Sequence, residues 1–537
     1  MSNNEGVGEQ HGRQGRALMT TQHTESCPSS PAERSASHPR RELAVAALVL
    51  IVAGFFAAWH LKSWPARLRY PGELDFAGME GMRLVEMLDL RRGEPIYAPV
   101  TPEKFDASIY GPLYYILGAH LVDPQAPAYM PLRLLSLLAT LGCAAGCALL
   151  AFWLSGRCLA AALAPLLFFS CGIVTRYGVL ARCDMVALLL CFGGFLIAYR
   201  FRCSYVLLLA VPVMLLGFFY KQQFVAAPLA VLLFLMVEKR HRLAVAFGVL
   251  LMTGGLGGLL IFQFKVFPGQ AFFRHFVVYN LLPFSLSQFA LGFAVVGVMC
   301  LGPLLASLEF LYLHRDKLAT CYLSCALAVS LLEFAKEGSG ENFFLECVII
   351  TSALFAALMA ESISQTYHSA MLVILLGATV LLGTQFSKPT PAPSDWARDR
   401  ELQTFLRRNV PPHASALGLF TGDLVRAGLE APISDLYQYT QLASKGTFSD
   451  RYLVRQVLER RYAVILLNLD IRYDKDSRGR TFVFLSEAVR HAILQNYQLS
   501  TEMEMPGPEK RPGATLVCVW LPRSAEGTLQ GTPVDMR

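Results

Sequence analysis

A series of long apolar runs, separated by short polar segments, most constrains what this chain can fold into. The first run, "ELAVAALVLIVAGFFAAWHL", covers residues 42–61. A helix of roughly 20 mostly apolar residues spans the hydrocarbon core of a bilayer. The runs therefore predict a mostly α-helical, polytopic transmembrane bundle of about eleven spans. The other ten lie near 131–154, 159–175, 184–199, 204–219, 223–237, 243–262, 289–312, 318–334, 344–360 and 369–384.

The composition agrees with a membrane protein. Hydrophobic residues make up 54% of the 537 residues and charged residues only 16%, whereas soluble proteins carry about 25% charged residues. The surplus of apolar side chains must face lipid. The net charge of +7 is modest and spread along the chain, which is not the footprint of a nucleic-acid partner.

The short basic loops predict the topology. Positively charged loops stay in the cytoplasm, so a cytoplasmic N-terminus and, after an odd number of spans, an outer C-terminal region follow. The first run lies too deep in the chain for a signal peptide and reads as an anchor in the plasma (inner) membrane. The basic loops are "RFRC" at 200–203, "EKRHR" at 238–242 and "HRDK" at 314–317, and the outer loops are then 62–130, 176–183, 220–222, 263–288 and 335–343.

Three domains follow from the changes in composition. Residues 1–41 are polar and without apolar periodicity, which predicts a disordered cytoplasmic tail. Residues 42–384 form the transmembrane domain. After the Pro-rich "SKPTPAPSDW", residues 385–537 predict an extracytoplasmic α/β domain with strands at "YAVILLNL" and "TLVCVWLP" and helices at "FSDRYLVRQVLERRY" and "LSEAVRHAILQNY". No internal repeat stands out.

The predicted outer face collects the ionisable residues. Ionisable groups at membrane depth are functional candidates by default, although a single Lys or Arg can also extend to the lipid headgroups. The residues are Glu73, Asp75, Glu80, Arg176, Arg182, Asp184, Lys221, Lys265, Arg274, His275, Lys336, Glu337, Glu341 and Glu346.

The first outer loop predicts an interfacial helix. Apolar residues between Gly78 and Arg92 recur at near-helical spacing, and Gly93 ends the pattern. Asp75 and Glu80 bracket the start of this helix, where an acid also suits the helix dipole.

Four sequence pieces occur in an order that resembles a known family. They are "ELDFAGMEG" with "RRGEPIY" and "YGPLYY", then "RYGVLARCDMVALLL", "FYKQQFVAAPLA" and "KEGSGENFFLE", and they span about residues 42–360. Together they resemble the bacterial type C (polytopic membrane) glycosyltransferases of the family 39-like group, related to protein O-mannosyltransferases and lipid A aminoarabinose transferases. These relatives pack the acids of the first loop closer together, so the resemblance leaves open which acid is the base.

The resemblance implies an enzyme that moves a hexose or pentose from a polyprenyl-phosphate carrier to an acceptor hydroxyl on the outer face. The acceptor is a glycolipid, glycan or protein. Such chemistry needs a carboxylate base and cations that stabilise the released phosphate. Asp75 is the expected base and Glu80 the alternative, and the cations expected to hold the donor phosphate are Lys221, Arg182 and Arg176.

The remaining candidates have weaker expectations. Asp184 is expected to pair with Arg182 or Lys221, and Glu341, Asn342 and Glu346 to line the substrate side or to hold the structure by hydrogen bonds. His275 is expected to be an interfacial histidine and not a metal ligand. No cofactor is certain, no metal ligand set is assigned, and a divalent metal stays open.

Two other classes of function remain. A transporter or flippase of a lipid-linked envelope precursor often shows paired repeats and broken helices. A sensor or scaffold whose outer domain binds cell-wall material would need no acids in the first loop. An enzyme should bring Asp75, Arg182 and Lys221 around one outward cavity, which separates it from both.

Overall fold

The computed structural model describes residues 39–75, 78–106, 108–336, 338–383, 390–468, 470–473, 485–504 and 516–523. Most of the predicted cytoplasmic tail and part of the Pro-rich linker lie outside the described residues. The first helix begins at Pro39, so the last three residues assigned to the tail are helical.

Each of the eleven apolar runs contains a helix. A 3₁₀ helix, Tyr205–Leu209, leads into α9, a π-helical turn, Phe262–Val266, extends α11, and a 3₁₀ helix, Glu341–Phe344, leads into α15. The helices up to the linker are α1 (Pro39–Leu61), α2 (Trp64–Arg69), α3 (Met79–Arg91), α4 (Pro112–Leu121), α5 (Met130–Ser155), α6 (Cys158–Phe169), α7 (Gly172–Tyr177), α8 (Asp184–Arg200), α9 (Ala210–Tyr220), α10 (Ala226–Val237), α11 (His241–Ile261), α12 (Phe272–Phe276), α13 (Leu286–His314), α14 (Lys317–Phe334), α15 (Leu345–Glu361) and α16 (Thr366–Gly383).

The polytopic helical bundle is confirmed. Among the described residues, six helical segments are long and apolar enough to cross a membrane, and four more apolar helices are shorter. The number of eleven crossings stays a prediction. The six are Arg40–Arg69, Met130–Ser155, His241–Val266, Leu286–His314, Lys317–Phe334 and Glu341–Ser364, and the four are Cys158–Phe169, Tyr205–Tyr220, Ala226–Val237 and Tyr367–Gly383.

Helix α15 is the central helix of the bundle. It packs against α5, α6, α13 and α14, and every residue from Leu345 to Ala360 is buried. Small side chains such as Ala353, Ala356 and Ala357 let the neighbouring helices approach closely. The 3₁₀ helix Glu341–Phe344 immediately precedes α15 and is thereby fixed against the bundle. It carries Asn342, which is discussed below.

The three basic loops meet at one end of the bundle. Arg202 Nη1 lies 2.9 Å from Asp316 Oδ2, and Arg240 Nη1 donates to the backbone oxygen of Arg202 at 2.9 Å. Lys317 Nζ lies 2.6 Å from Glu238 Oε1. The loops that the charge pattern places on one side of the membrane are therefore neighbours in space, while the side itself stays a prediction.

The C-terminal region contains one four-stranded sheet and a second apolar core. The strands are β1 (Ala416–Gly418), β2 (Val464–Leu467), β3 (Tyr497–Glu504) and β4 (Leu516–Pro522), in the order β1-β2-β4-β3 with β1 parallel to β2 and the other pairs antiparallel. The helices are α17 (Pro393–Asn409), α18 (Thr421–Arg426), α19 (Leu436–Ser444), α20 (Arg451–Leu458) and α21 (Glu487–Asn496). Both strands and both helices named from the sequence are present, and β1 and β3 are additional.

The helix predicted in the first outer loop is α3, and protein covers it. All residues from Glu80 to Asp89 are buried, because α4 packs on one side and α18 of the C-terminal region packs on another. The apolar side chains that suggested contact with lipid therefore contact other parts of the chain.

Candidate active site

Asp184, the first residue of α8, is the centre of a buried polar cluster. Its Oδ1 accepts hydrogen bonds from Lys221 Nζ at 2.5 Å and from Asn342 Nδ2 at 2.8 Å, and its Oδ2 accepts from Arg182 Nε at 3.1 Å. The acid also suits the N-terminus of a helix. Asp184 therefore pairs with both cations with which the sequence analysis associated it, and three distant segments meet at its side chain.

Arg182 joins two carboxylates. Its Nε contacts Asp184, while its Nη1 donates to Asp75 Oδ2 at 3.1 Å. Its Nη2 donates to Tyr110 Oη at 3.2 Å, and the guanidinium lies 5.2 Å from the ring centre of Tyr177. The planar fork of an arginine is suited to several directed bonds of this kind. Arg182 thus connects the first outer loop to the end of a span.

Lys221 lies at the junction of α9 and α10. Its backbone is extended (φ −155°, ψ 116°), which ends α9 and turns the side chain toward Asp184. The ammonium lies 5.2 Å from the ring centre of Tyr110 and 5.8 Å from that of Phe343. Aromatic faces attract cations more strongly when water is excluded, and Lys221 is only 4% exposed.

A second ion pair lies beside the first cluster. Arg176 Nη1 donates to Glu341 Oε2 at 2.9 Å, and Tyr177 Oη donates to the same oxygen at 3.4 Å. The ring of Tyr177 contacts both Arg176 and Arg182, so the two clusters share one side chain. The Glu341 side chain is 26% exposed and that of Arg176 is 10% exposed. The ion pair of Arg176 and Glu341 is therefore more open to solvent than the Asp184 cluster.

Glu80 is engaged on both oxygens. Oε1 accepts from Arg133 Nε at 2.9 Å and from the backbone N–H of Ala181 at 2.7 Å. Oε2 accepts from Arg133 Nη2 at 2.6 Å and from the backbone N–H of Leu74 at 2.7 Å. With four donors and no exposed surface, Glu80 has the environment of a structural carboxylate.

Glu346 and His275 lie apart from the Asp184 cluster. Glu346 Oε1 accepts from Tyr322 Oη and from the backbone N–H of Ala227, both at 3.2 Å. These bonds tie α15 to α14 and α10. His275 Nε2 lies 2.8 Å from the backbone oxygen of Ala98, and burial lowers the pKa of this histidine to about 4. Among the residues that the structure describes, no three His, Cys, Asp or Glu side chains are grouped as a metal site.

Arg133 was not among the residues predicted from the sequence. It lies in the first turns of α5 and is fully buried. Besides Glu80, it donates to the backbone oxygens of Arg67 and Gly72, at 3.2 and 2.7 Å, and to that of Tyr70. An arginine inside an apolar run was the available signal, since such a residue is costly there unless it is paired. It fixes the segment that leads into Asp75.

No protein-family model and no curated protein matches this sequence. Solved structures do match. The ArnT structure from Cupriavidus metallidurans in the apo state has a TM-score of 0.55 at 10% identity, covering 87% of this chain and 97% of that chain. The same protein bound to undecaprenyl phosphate gives 0.54 at 11% identity, with the same coverage of both chains.

A further match is the oligosaccharyltransferase of Archaeoglobus fulgidus in the apo form. Its TM-score is 0.51 at 10% identity, covering 81% of this chain and 70% of that chain. ArnT is a lipid A aminoarabinose transferase, one of the groups to which the ordered motifs point. The likeness extends over most of this chain, so the chain has the fold of the type C membrane glycosyltransferases.

Proposed function

We propose that this protein is a membrane glycosyltransferase. It moves a sugar from a polyprenyl-phosphate donor to an acceptor hydroxyl on a glycolipid, glycan or protein at the outer face of the plasma (inner) membrane. The N-terminus is cytoplasmic, and the α/β domain of residues 385–537 is extracytoplasmic. Solved structures of the same fold support the proposal, since one of them holds undecaprenyl phosphate.

One observation carries this proposal. Asp75, Arg182, Asp184, Lys221 and Asn342 form a continuous chain of hydrogen bonds. They come from the first outer loop, the start of α8, the end of α9 and the 3₁₀ helix that leads into α15. The charge pattern of the sequence predicts that these loops lie on the same side of the membrane. A carboxylate next to two cations at span ends is the residue set that the reaction needs.

The proposed roles follow from what each side chain contacts. Lys221 and Arg182 bind the donor phosphate, and Arg176 supports them from the neighbouring ion pair. Asp184 holds both cations in place, and it is assigned to the substrate side together with Asn342, which donates to it. Glu341 is the more exposed acid and contacts sugar or acceptor, while Glu346 is assigned to the substrate side only through its position at the start of α15.

The chemical step is a substitution at the anomeric carbon. The acceptor oxygen forms a bond to that carbon while the bond from the carbon to the phosphate oxygen breaks. The electron pair leaves with the polyprenyl phosphate, and Lys221 and Arg182 stabilise its added negative charge. Asp75 takes the proton of the acceptor hydroxyl.

The test begins in cells. Mass spectrometry of envelope glycans and glycolipids, with and without the gene, should show one hexose or pentose missing from one acceptor. The purified protein, given the matching polyprenyl-phosphate sugar, should then release free polyprenyl phosphate only when that acceptor is present. An unchanged envelope together with an uncleaved donor would overturn the proposal. Movement of an intact lipid-linked precursor across reconstituted vesicles would favour a flippase.

A further inference from the structure

The segment that carries Asp75 is covered by the C-terminal region. Tyr70 packs its ring at 79° to that of Trp396 in α17, with 5.6 Å between ring centres. A Cβ built on Gly72 would lie 2.8 Å from Asp399 Oδ1. Tyr70 and Gly72 thus lie directly against α17, and a Cβ on Gly72 would displace the side chain of Asp399 or of Tyr70.

The start of α3 is covered in the same way by α18. Gly78, which precedes α3, has a φ of +71°, and a Cβ there would lie 2.5 Å from the backbone oxygen of Leu419. A Cβ on Gly81 would lie 2.5 Å from the backbone nitrogen of Gly422. Because neither Gly78 nor Gly81 carries a Cβ, the start of α3 can approach this backbone closely.

An ion pair holds the two covering helices, α17 and α18, together. Arg426 of α18 forms a two-pronged ion pair with Asp399 of α17, at 2.9 and 3.0 Å, and its Nη1 also donates to Asp423 Oδ1 at 2.9 Å. Paired arginine–carboxylate bonds fix orientation as well as distance. α17 and α18 therefore act as one unit against the first outer loop.

Glu73 lies at the centre of this contact. Its Oε1 would be 2.1 Å from a Cβ on Gly81 and 2.8 Å from one on Gly422. Burial, followed by the nearby Asp423 carboxylate, raises the pKa of Glu73 well above its usual range. A neutral side chain can pack at this place without repelling Asp423.

We infer that α17 and α18 are a positioning element, which holds residues 70–75 and the first turn of α3 so that Asp75 meets Arg182. The C-terminal region then has a role in catalysis without contacting substrate. The catalytic purpose of this positioning rests on the proposed function. The contact of α17 and α18 with the first outer loop does not depend on it. Misplacing a reacting group by about 1 Å can cost roughly 10²-fold in rate.

The first variant is Gly422→Ala in the full-length protein. The new Cβ would lie 1.8 Å from Tyr129 Oη and 2.6 Å from Gly81 Cα, so α18 must move away from α3. Gly193→Ala is the matched control, because nothing lies within 4 Å of a Cβ there. Trp396→Ala is a milder variant at the second contact, and Trp396→Phe, which keeps an aromatic ring against Tyr70, is its rescue.

Two measurements are made on each variant: hydrogen–deuterium exchange of peptides that cover residues 70–75, and donor kinetics. Gly422→Ala and Trp396→Ala should speed exchange in this segment and lower kcat about 10- to 100-fold. The donor KM should change little, since Lys221 keeps its place. Gly193→Ala and Trp396→Phe should resemble the wild type in both measurements.

Unchanged exchange in both Gly422→Ala and Trp396→Ala would show that α17 and α18 do not hold residues 70–75 in place. Faster exchange with an unchanged kcat would overturn the positioning role and leave the proposed function standing. If the wild-type protein transfers no sugar, the proposed function fails separately, and the exchange data still decide whether α17 and α18 hold the segment.

Discussion

Arg133 and Glu80, which are 53 residues apart in the chain, form a fully buried two-pronged ion pair. Nε of Arg133 donates to one oxygen of Glu80 at 2.9 Å and Nη2 to the other at 2.6 Å. Glu80 also accepts from the N–H of Ala181, the residue before Arg182. The pair therefore connects the loop that carries Asp75 to the segment that carries the arginine facing it.

This geometry separates the two acids of the first loop. Glu80→Gln should destabilise the protein, because removing one partner of a buried ion pair typically costs about 3–5 kcal/mol. Asp75→Asn removes one of the two carboxylates that pair with Arg182, and Asp184 still pairs with this arginine. The fold should therefore stay intact, while transfer falls about 10²–10⁴-fold. Thermal unfolding in detergent and initial transfer rates, measured on both variants, check the two parts.

The assignment would be reversed by one pattern of results. If Asp75→Asn transfers sugar at the wild-type rate while folded Glu80→Gln is inactive, Glu80 is the base. If both variants transfer at the normal rate, neither acid is the base and the mechanism proposed above is wrong.

The sequence was informative where the signal is local. Runs of apolar residues predict helices because a span must satisfy its own backbone in lipid, and α5, α8 and α15 lie where such runs occur. The pairing of Arg182 with Asp184 also has a local cause, since the two residues are two positions apart.

The rest depends on tertiary contacts that no local pattern encodes. The burial of α3 by α18 joins residues more than 300 positions apart. The ion pair of Glu80 and Arg133 requires α5 to pack beside the first loop. The sequence around an isolated arginine in an apolar run does not show which residue it pairs with. The place of Glu346 between α14 and α10 likewise follows from packing.

Lys221→Ala should weaken donor use more than folding. Arg182 remains to pair with Asp184 in this variant, so the buried carboxylate keeps a cation. The phosphate loses one charge-assisted contact, which is typically worth about 1.5–3 kcal/mol, so the donor KM should rise about ten- to a hundredfold. Rates at varied donor concentration measure it.

Lys336→Ala is the control for Lys221. Lys336 lies in a loop assigned to the same outer face and pairs with Glu333 at 2.6 Å, outside the Asp184 cluster. Its loss should leave the donor KM unchanged. A wild-type donor KM in folded Lys221→Ala would transfer the phosphate role to Arg182 or Arg176.

The two ends of the bundle should react with thiol reagents from opposite sides of the membrane. Cys203 is exposed in the first of the basic loops. A membrane-impermeant maleimide should label it in inside-out vesicles and not in intact cells, with Cys203→Ser as the control. Tyr473 is 65% exposed in the C-terminal region. A cysteine introduced there by Tyr473→Cys should be labelled in intact cells and not in inside-out vesicles. Labelling of Cys203 from outside would invert every loop assignment.

The contact between the first outer loop and the C-terminal region should weaken as pH rises. Asp106 is buried where Phe105 pairs with Ile433. Burial, and then the charge of Asp89, raise its pKa from 3.8 to about 7, although Lys104 opposes the shift. The folded protein therefore holds this proton more tightly than the unfolded chain does. The contribution of the protonated Asp106 side chain to stability is complete below the pKa that Asp106 has in the unfolded chain. This contribution is lost as the pH rises toward about 7.

Asp106→Asn tests this directly, because an amide cannot lose a proton. Each pKa unit corresponds to about 1.4 kcal/mol, so the wild type should lose several degrees in Tm relative to Asp106→Asn between about pH 5 and about pH 8. Asp123→Asn, at an exposed aspartate of the same loop, should follow the wild type at both pH values. A Tm difference between wild type and Asp106→Asn that stays constant with pH would show that Asp106 is already charged in the folded protein, held so by Lys104.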